Sequence, residues 1–180
     1  YAIPLMIVAL AGVFAERSGI INLALEGIMI FGCFAGVLFV RIMQNAGWFD
    51  AAKAAGSVWR LQGFLLLTML VSAILGALFS LLLAFAAINL RADQTIGGTA
   101  LNMLAPALVL FLIRIIANQN TLSMISGDSA SWFMIKKTML GFDKKADIGF
   151  LGEAFINKVY LSTYVCILIF ILLSVLLYKT

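Results

Sequence analysis

The chain has 180 residues, of which 64% are hydrophobic and 11% are charged, and its formal net charge is +4. Its mean hydropathy is +1.12. So little polar surface cannot coat a soluble globule of this length, and the apolar runs are too long for strands. The composition therefore predicts an all-α, polytopic helix bundle in a lipid bilayer. No basic stripe with interleaved aromatic residues is present, so we expect no nucleic-acid partner.

The apolar runs predict about five membrane helices within one transmembrane domain, residues 1–180. A hydrocarbon core about 30 Å thick needs roughly 20 apolar residues per helix. The candidate helices are residues 1–15, 19–40, 63–88, 95–117 and 161–177. The first is short and starts abruptly at Tyr1, so we expect further residues of its helix upstream. It lacks the basic leader and cleavage site of a signal peptide.

The connections between these runs differ in length and character. Residues 41–62 carry Trp48 and Trp59, which can lie at the membrane surface. Residues 89–94 are few and polar. Residues 118–160 are long, mixed in charge and interrupted by glycines, so we expect a structured extramembrane loop with short helices.

Small residues four apart recur within the apolar runs, which allows helix backbones to approach closely in lipid. They are Gly32 and Gly36 in the second run, and Ser72, Gly76, Ser80 and Ala84 in the third. Ordinary helix packing is the simplest interpretation of both stripes. Pro106 in the fourth run predicts a loosened or kinked helix just after Asn102.

A polar segment, residues 16–27, lies among the long apolar runs and contains Asn22 and Glu26. Polar groups are costly in a membrane and usually serve a function there, so the chain is expected to break and restart near the bilayer surface. If the segment is helical, Asn22 and Glu26 share a face because they are four residues apart. The two residues are candidates for a substrate path. The alternative is a buried polar clamp that orients two helices.

The fourth run carries a second set of candidates. Thr95, Thr99 and Asn102 fall at i, i+4 and i+7 and therefore on one helical face. Such a face is typical of a wet interior wall rather than a lipid-facing surface. These residues are also substrate-path candidates, with the same alternative of a structural clamp.

Enzyme chemistry finds little support in the sequence. The chain has no histidine, which excludes a histidine base, a histidine metal ligand and a Ser/His/Asp triad. It has no Walker phosphate loop, so another subunit must perform any ATP-driven work. Cys33 and Cys166 lie inside apolar runs and predict neither a disulfide framework nor a metal site. We expect no enzymatic activity, no metal and no cofactor.

Three segments resemble a known family. Residues 11–29, AGVFAERSGIINLALEGIM, resemble the signature of permease subunits of bacterial ATP-binding-cassette (ABC) importers in the ribose/simple-sugar and nucleoside (BMP-type) branch. Residues 93–102, DQTIGGTALN, resemble that family's second polar-glycine segment, and residues 148–152 resemble the turn before its next helix. Glu-Arg-Ser-Gly followed by Asn-x-x-x-Glu-Gly is more similar to the nucleoside permeases than to the ribose permeases.

This resemblance implies the N-terminal portion of a type II ABC importer permease in the bacterial cytoplasmic (inner) membrane. It also implies a second permease subunit, a cytoplasmic ATP-binding subunit and an extracytoplasmic solute-binding protein or lipoprotein. The expected cargo is a nucleoside, a simple sugar or a riboflavin-like solute. A cytoplasmic coupling segment that docks on the ATPase should follow residues 161–177, so the main docking site is expected to lie beyond this chain.

The sequence leaves alternatives for the orientation of the chain in the membrane and for its function. The excess of Lys and Arg in residues 41–62 and 118–160 would place these loops in the cytoplasm. The resemblance places residues 118–160 on the outer side, where they would help to dock the binding protein, and we follow it. Two other functions fit the sequence: one half of a secondary transporter with Glu26 as an ion or proton site, and a non-transporting scaffold.

Overall fold

The computed structural model describes residues 2–19, 21–48, 58–118, 121–122, 134–135 and 159–179. Long helices dominate these residues, which confirms the all-α fold. The helices are α1 (Ala2–Arg17), α2 (Leu25–Asn45), α3 (Val58–Ile88), α4 (Gln94–Ala117) and α5 (Leu161–Lys179). Two short strands, β1 (Met134–Ile135) and β2 (Val159–Tyr160), pair antiparallel, with Met134 opposite Tyr160.

The helix bounds differ from the predicted ones mainly in α2 and α3. Helix α2 begins at Leu25 instead of residue 19 and continues to Asn45, while α3 begins at Val58 instead of residue 63. Hydropathy marks the apolar core of a helix, but the backbone can continue its hydrogen-bond ladder through polar residues at the membrane surface. Helical residues therefore extend into both ends of the predicted loop, residues 41–62.

Four of the helices, α2 to α5, are long and apolar enough to cross a membrane. Helix α1 has 16 residues. Helix α4 is continuous from Gln94 to Ala117 and contains Pro106. Helix α3 runs antiparallel to α2, since Gly32 lies beside Gly76 and Gly36 lies beside Thr68. Helix α4 runs parallel to α2, since Gly27 lies beside Ala105 and Phe34 packs in one cluster with Val109.

The bundle has two ends, which we call end A and end B. End A contains residues 18–24, residues 89–93 and the C-terminus of α5, because Arg17 donates a hydrogen bond to the Leu177 carbonyl (3.1 Å). End B contains residues 46–48, Asn118 and the two strands.

Helices α2 and α3 meet at their small residues. The Cα atoms of Gly32 and Gly76 lie close enough that a Cβ on Gly76 would be 3.8 Å from Gly32 Cα. The Ser72 hydroxyl donates a hydrogen bond to the Gly32 carbonyl (2.5 Å). The predicted packing role of these small residues is confirmed for the Gly32 and Gly36 pair and for Ser72 and Gly76. Ala84, further along the stripe, is exposed.

The core lies between α2, α3 and α4. Its largest cluster at end A consists of Ala24, Phe79, Leu83, Leu101 and Ala105. Phe31 of α2 stacks on Phe79 of α3 with ring centroids 4.4 Å apart. A second cluster nearer end B contains Val40 and Phe64, against which Tyr160 of β2 packs. These contacts fix the start of α2 against α4, where the candidate residues lie.

Most of the predicted extramembrane loop, residues 118–160, lies outside the described residues, and so does the segment 148–152 used in the resemblance. Cys33 is exposed and Cys166 is partly buried, and both are free thiols.

Candidate functional site

The chain breaks between α1 and α2 within the polar segment. Helix α1 ends at Arg17, and Gly19 then adopts a positive φ of 77°, a conformation that favours glycine. The Ser18 hydroxyl donates a hydrogen bond to the Ala15 carbonyl (2.7 Å) and closes the last turn of α1. Helix structure resumes only at Leu25. The predicted break and restart is confirmed.

Asn22 lies inside this break, so the condition under which it would share a helical face with Glu26, a helical segment, is not met. Its side-chain oxygen accepts a hydrogen bond from the Ala24 N–H (3.1 Å). This contact two residues along the chain is an Asx turn, which offers the backbone an alternative to the helix. Asn22 thus shapes the turn before α2, while Glu26 lies within the first helical turn.

The Asn102 side chain of α4 forms hydrogen bonds with backbone groups on both sides of the start of α2. Its side-chain oxygen accepts a hydrogen bond from the Gly27 N–H (2.7 Å), and its side-chain nitrogen donates to the Leu23 carbonyl (2.5 Å). A helix start leaves N–H groups without intrahelical partners, and lipid offers none. The amide therefore satisfies one donor and one acceptor of the backbone that the break would otherwise leave unpaired.

Two glycines allow this close approach of α2 and α4. A Cβ on Gly27 would lie 2.9 Å from the Leu101 carbonyl oxygen and 3.0 Å from the Asn102 side-chain oxygen. A Cβ on Gly98 would lie 3.0 Å from the Leu23 Cβ. Any larger residue at Gly27 would push α2 away from the amide that binds it. The two motif segments found in the sequence, around residues 16–27 and 93–102, thus contact each other directly.

Two polar residues before and at the start of α4 complete this contact. The Gln94 side-chain oxygen accepts a hydrogen bond from the Ile21 N–H (3.1 Å). The Asp93 carboxylate accepts hydrogen bonds from the N–H groups of Thr95 (2.7 Å) and Ile96 (3.3 Å) and so caps α4. These backbone hydrogen bonds hold the pKa of Asp93 below its ordinary value of 3.8.

Glu26, Thr95 and Thr99 are exposed at end A, whereas Asn22 and Asn102 are partly buried. Helix α4 runs through Thr95, Thr99 and Asn102, which confirms their common helical face. The Thr99 hydroxyl donates to the Thr95 and Ile96 carbonyls of its own helix (3.1 and 3.0 Å), so its oxygen can still accept a hydrogen bond from a solute.

The five candidate residues therefore divide into two groups. The amides of Asn22 and Asn102 bind backbone groups of the break, whereas Glu26 and the two threonines present polar groups to the space beside it. Carboxylate and hydroxyl oxygens can accept hydrogen bonds from the hydroxyl groups of a sugar and from the N–H groups of a base in a neutral solute. Among the described residues, no cluster of three or more side chains could hold a metal ion.

Comparison with known proteins agrees with this geometry. Residues 1–180 match the family described as branched-chain amino acid transport system / permease component. The chain belongs to this permease family. With four helices able to cross a membrane, the permease is a multi-pass protein of the bacterial inner membrane.

The permease is similar to two curated nucleoside transport proteins along its whole length. It is 38% identical over 180 residues to the guanosine ABC transporter permease protein NupQ of Bacillus subtilis (strain 168). It is 35% identical over 180 residues to the nucleoside ABC transporter permease protein NupC of Lactococcus lactis subsp. cremoris (strain MG1363). In both comparisons all of the chain matches, and it spans about half (50%) of the relative's length. The resemblance to nucleoside ABC permeases is confirmed.

A third relative, the uncharacterized protein MG121 of Mycoplasma genitalium, is 37% identical over 122 residues, which are 68% of this chain and 35% of that protein. No solved structure matches the permease.

Sequence reasoning missed four residues of the site, namely Asp93, Gln94, Gly27 and Gly98. Asp93 carries a signal that could have been used, since an Asp directly before an apolar helical run is a typical N-cap. Gly27, Gln94 and Gly98 carry none, because their roles depend on residues more than 70 positions away.

Proposed function

We propose that the permease forms part of the translocation path of an ABC importer for nucleosides. The observation that carries the proposal is the contact between the two polar segments, in which Asn102 binds the chain break before α2. Similarity over the whole chain to a guanosine permease and a nucleoside permease supports the cargo class. Simple sugars and riboflavin-like solutes are the other candidate cargoes.

Glu26, Thr95 and Thr99 are the proposed solute-facing groups. They are exposed beside the break at end A, and their oxygen atoms can accept hydrogen bonds from ribose hydroxyls or base N–H groups. Asn22 and Asn102 hold the backbone that forms this part of the path. In a membrane, irregular backbone is tolerated where it lines a cavity or is buried in protein, and this supports a path at the break.

The proposed assembly contains a second permease subunit, a cytoplasmic ATP-binding subunit and an extracytoplasmic solute-binding protein or lipoprotein. The chain itself is proposed to have no enzymatic activity, since it contains neither histidine nor a Walker phosphate loop. The energy for transport would come from ATP hydrolysis on the partner subunit.

Reconstitution in liposomes tests the proposal. The native permease, with and without its ATP-binding subunit and binding protein, is assayed for uptake of radiolabelled guanosine, ribose and riboflavin. We expect ATP-dependent uptake of the nucleoside by the complete assembly only. Uptake by the permease alone that an uncoupler abolishes would identify a secondary transporter, and absence of uptake from a correctly assembled complex would favour a scaffold.

Glu26→Gln tests whether the carboxylate serves transport. The substitution keeps shape and most hydrogen-bonding capacity while it removes the charge. We expect a normally assembled complex with reduced nucleoside uptake. Glu16→Gln is the control, because Glu16 is exposed at the same end, and we expect it to show normal uptake. Loss of assembled complex would indicate a structural clamp. Normal uptake by assembled Glu26→Gln would leave the charge without a transport role.

The proposed orientation places end A in the cytoplasm and end B, with residues 118–160, outside. In a background with both native cysteines replaced, a cysteine at Asn118 should react with a membrane-impermeant maleimide on intact cells. A cysteine at Ser18 should react only after lysis. The reverse pattern would support the positive-inside count instead.

A further inference from the structure

A large cleft lies at end B, the end of the bundle opposite to the chain break. It has a volume of about 740 Å³ and lies between the last turns of α2, the residues that follow and the first turns of α3. Its lining is Phe39, Met43, Ala46, Gly47, Trp48, Arg60, Leu61, Gly63, Phe64 and Leu67. The proposed transport function uses none of these residues.

The cleft crosses the boundary between hydrocarbon and headgroups. Its deep part is formed by Phe39, Phe64 and Leu67, where Phe39 and Phe64 stack with ring centroids 5.6 Å apart. Its shallow part contains Arg60 and Trp48, which come before the apolar run of α3 and after that of α2. At 31 residues, α3 is about 46 Å long, so its first turn can extend beyond a core of about 30 Å.

Aromatic residues support this depth. Trp48, which lines the shallow part of the cleft, is 63% exposed, and Trp59, the residue before Arg60, is 88% exposed. Tryptophan is enriched where the headgroups meet the hydrocarbon, because its ring is apolar and its N–H can donate a hydrogen bond. The shallow part of the cleft therefore lies at headgroup level, and the deep part lies in the hydrocarbon.

Arg60 is the charged residue of the lining. It is exposed, and among the described residues it has no ion-pair or hydrogen-bond partner. Among the described residues that line the cleft, Arg60 alone is charged and none is acidic. A guanidinium binds phosphate in a bidentate geometry, and the apolar wall below it can bind a hydrocarbon tail.

We propose that this cleft binds an anionic phospholipid of the surrounding bilayer, with its phosphate on Arg60 and one acyl chain against the apolar wall formed by Phe39, Phe64 and Leu67. The charge selects an anionic headgroup over a zwitterionic one, because a neighbouring ammonium would oppose the guanidinium. The apolar depth selects a lipid over free phosphate. This inference does not depend on the cargo or on the transport mechanism.

The test measures lipid retained by the native permease, purified from membranes in detergent. The protein is incubated with equal amounts of phosphatidylglycerol and phosphatidylcholine, and the bound lipids are counted by native mass spectrometry. We expect preferential retention of phosphatidylglycerol. Arg60→Gln should lower that retention roughly fivefold, the factor expected when one basic group is removed from an anionic membrane surface.

Gly63→Phe tests the apolar part of the cleft while it leaves Arg60 in place. A Cβ on Gly63 meets no atom within 4 Å, so the larger side chain can enter the cleft without a clash. We expect a similar loss of phosphatidylglycerol with an unchanged melting temperature. Arg114→Gln is the matched control, because Arg114 is an exposed arginine near the same end and does not line the cleft.

Four outcomes would overturn the proposal. Equal retention of the two lipids by the unsubstituted permease would show that the cleft does not select an anionic headgroup. An equal effect of Arg114→Gln would indicate general surface attraction. Unchanged retention in a folded Gly63→Phe protein would show that no acyl chain occupies the cleft, as would be the case if another segment of the chain filled it. Competition of inorganic phosphate with phosphatidylglycerol at equal concentration would also contradict a lipid site.

Discussion

Helices α2, α3 and α4 differ from α1 and α5 in how much surface they bury against their neighbours. Helix α2 buries six residues, including Gly27, Gly32 and Gly36, and α4 buries five along one face. Helix α5 has no buried residue, and no described side chain of α1 is fully buried. Helices α2, α3 and α4 form a close-packed unit, while α1 and α5 form a loosely packed pair.

The difference follows from the residue types at the contacts. Small residues let the backbones of α2, α3 and α4 approach until side chains can hydrogen-bond to main-chain carbonyls, as Ser72 and Asn102 do. Helices α1 and α5 present large aliphatic side chains, and their described polar contact is the hydrogen bond from Arg17 to Leu177. Exposed aliphatic faces of this kind can bind lipid, a second permease subunit or further helices of the same protein.

The largest expected effect is at Gly27. In Gly27→Ala the new Cβ would lie 2.9 Å from the Leu101 carbonyl, so α2 and α4 must separate. Overpacking typically costs about 1 to 3 kcal/mol. We expect a lower melting temperature of the purified permease and less assembled complex. Gly12→Ala in α1 is the control, because its Cβ would meet only Leu25 at an ordinary 3.6 Å. Equal effects would show that the two groups of helices do not differ in packing.

Asn102→Ala is expected to destabilise the start of α2 by a smaller amount. It removes two hydrogen bonds, and leaves the Leu23 carbonyl and the Gly27 N–H unpaired. Side-chain hydrogen bonds between membrane helices average about 0.6 kcal/mol, so we expect a loss of roughly 1 kcal/mol and faster hydrogen exchange of residues 23–28. Thr99→Ala should change neither quantity, because its hydroxyl binds only its own helix. A stable Asn102→Ala protein with unchanged exchange would contradict the clamp.

Arg17→Gln tests the loosely packed pair. Arg17 donates to the carbonyl of Leu177 at the C-terminal end of α5, where a cation also interacts favourably with the helix dipole. Such an interaction is worth about 0.3 to 1 kcal/mol, which corresponds to roughly two- to fivefold faster hydrogen exchange in the last turn of α5. Arg91→Gln, at an exposed position of the same end, should leave this exchange unchanged. An effect spread over α2 to α4 would contradict the separation into two groups.

The smallest expected effect concerns the cap of α4 and its dependence on pH. The folded state lowers the pKa of Asp93 below 3.8, so its stabilising contribution is present above the ordinary pKa and is lost as the pH falls through the lowered value. The melting temperature of the unsubstituted permease should exceed that of Asp93→Asn at neutral pH, and the difference should shrink on acidification below 3.8. Asp93→Ala, which removes the cap at every pH, is the control. A difference that grows on acidification would contradict the cap.

The residue pattern predicted much of the fold. Long apolar runs identified α1 and α3 to α5 within a few residues, and small residues four apart marked packing surfaces on α2 and α3, without specifying that these two surfaces meet. The polar segment between α1 and α2 predicted a break in the chain. These signals are local, because hydropathy and helical period are read within one segment.

The sequence by itself determined that this protein is an all-α membrane protein with two polar segments, because lipid requires long apolar helices and makes a polar group within them costly. Only the tertiary structure decided that α2 begins after Asn22, and that Asn102 turns its amide to the break while Glu26 remains exposed. Asn102 binds residues 79 and 75 positions away. No local pattern specifies such partners, because they depend on how closely Gly27 and Gly98 allow α2 and α4 to pack.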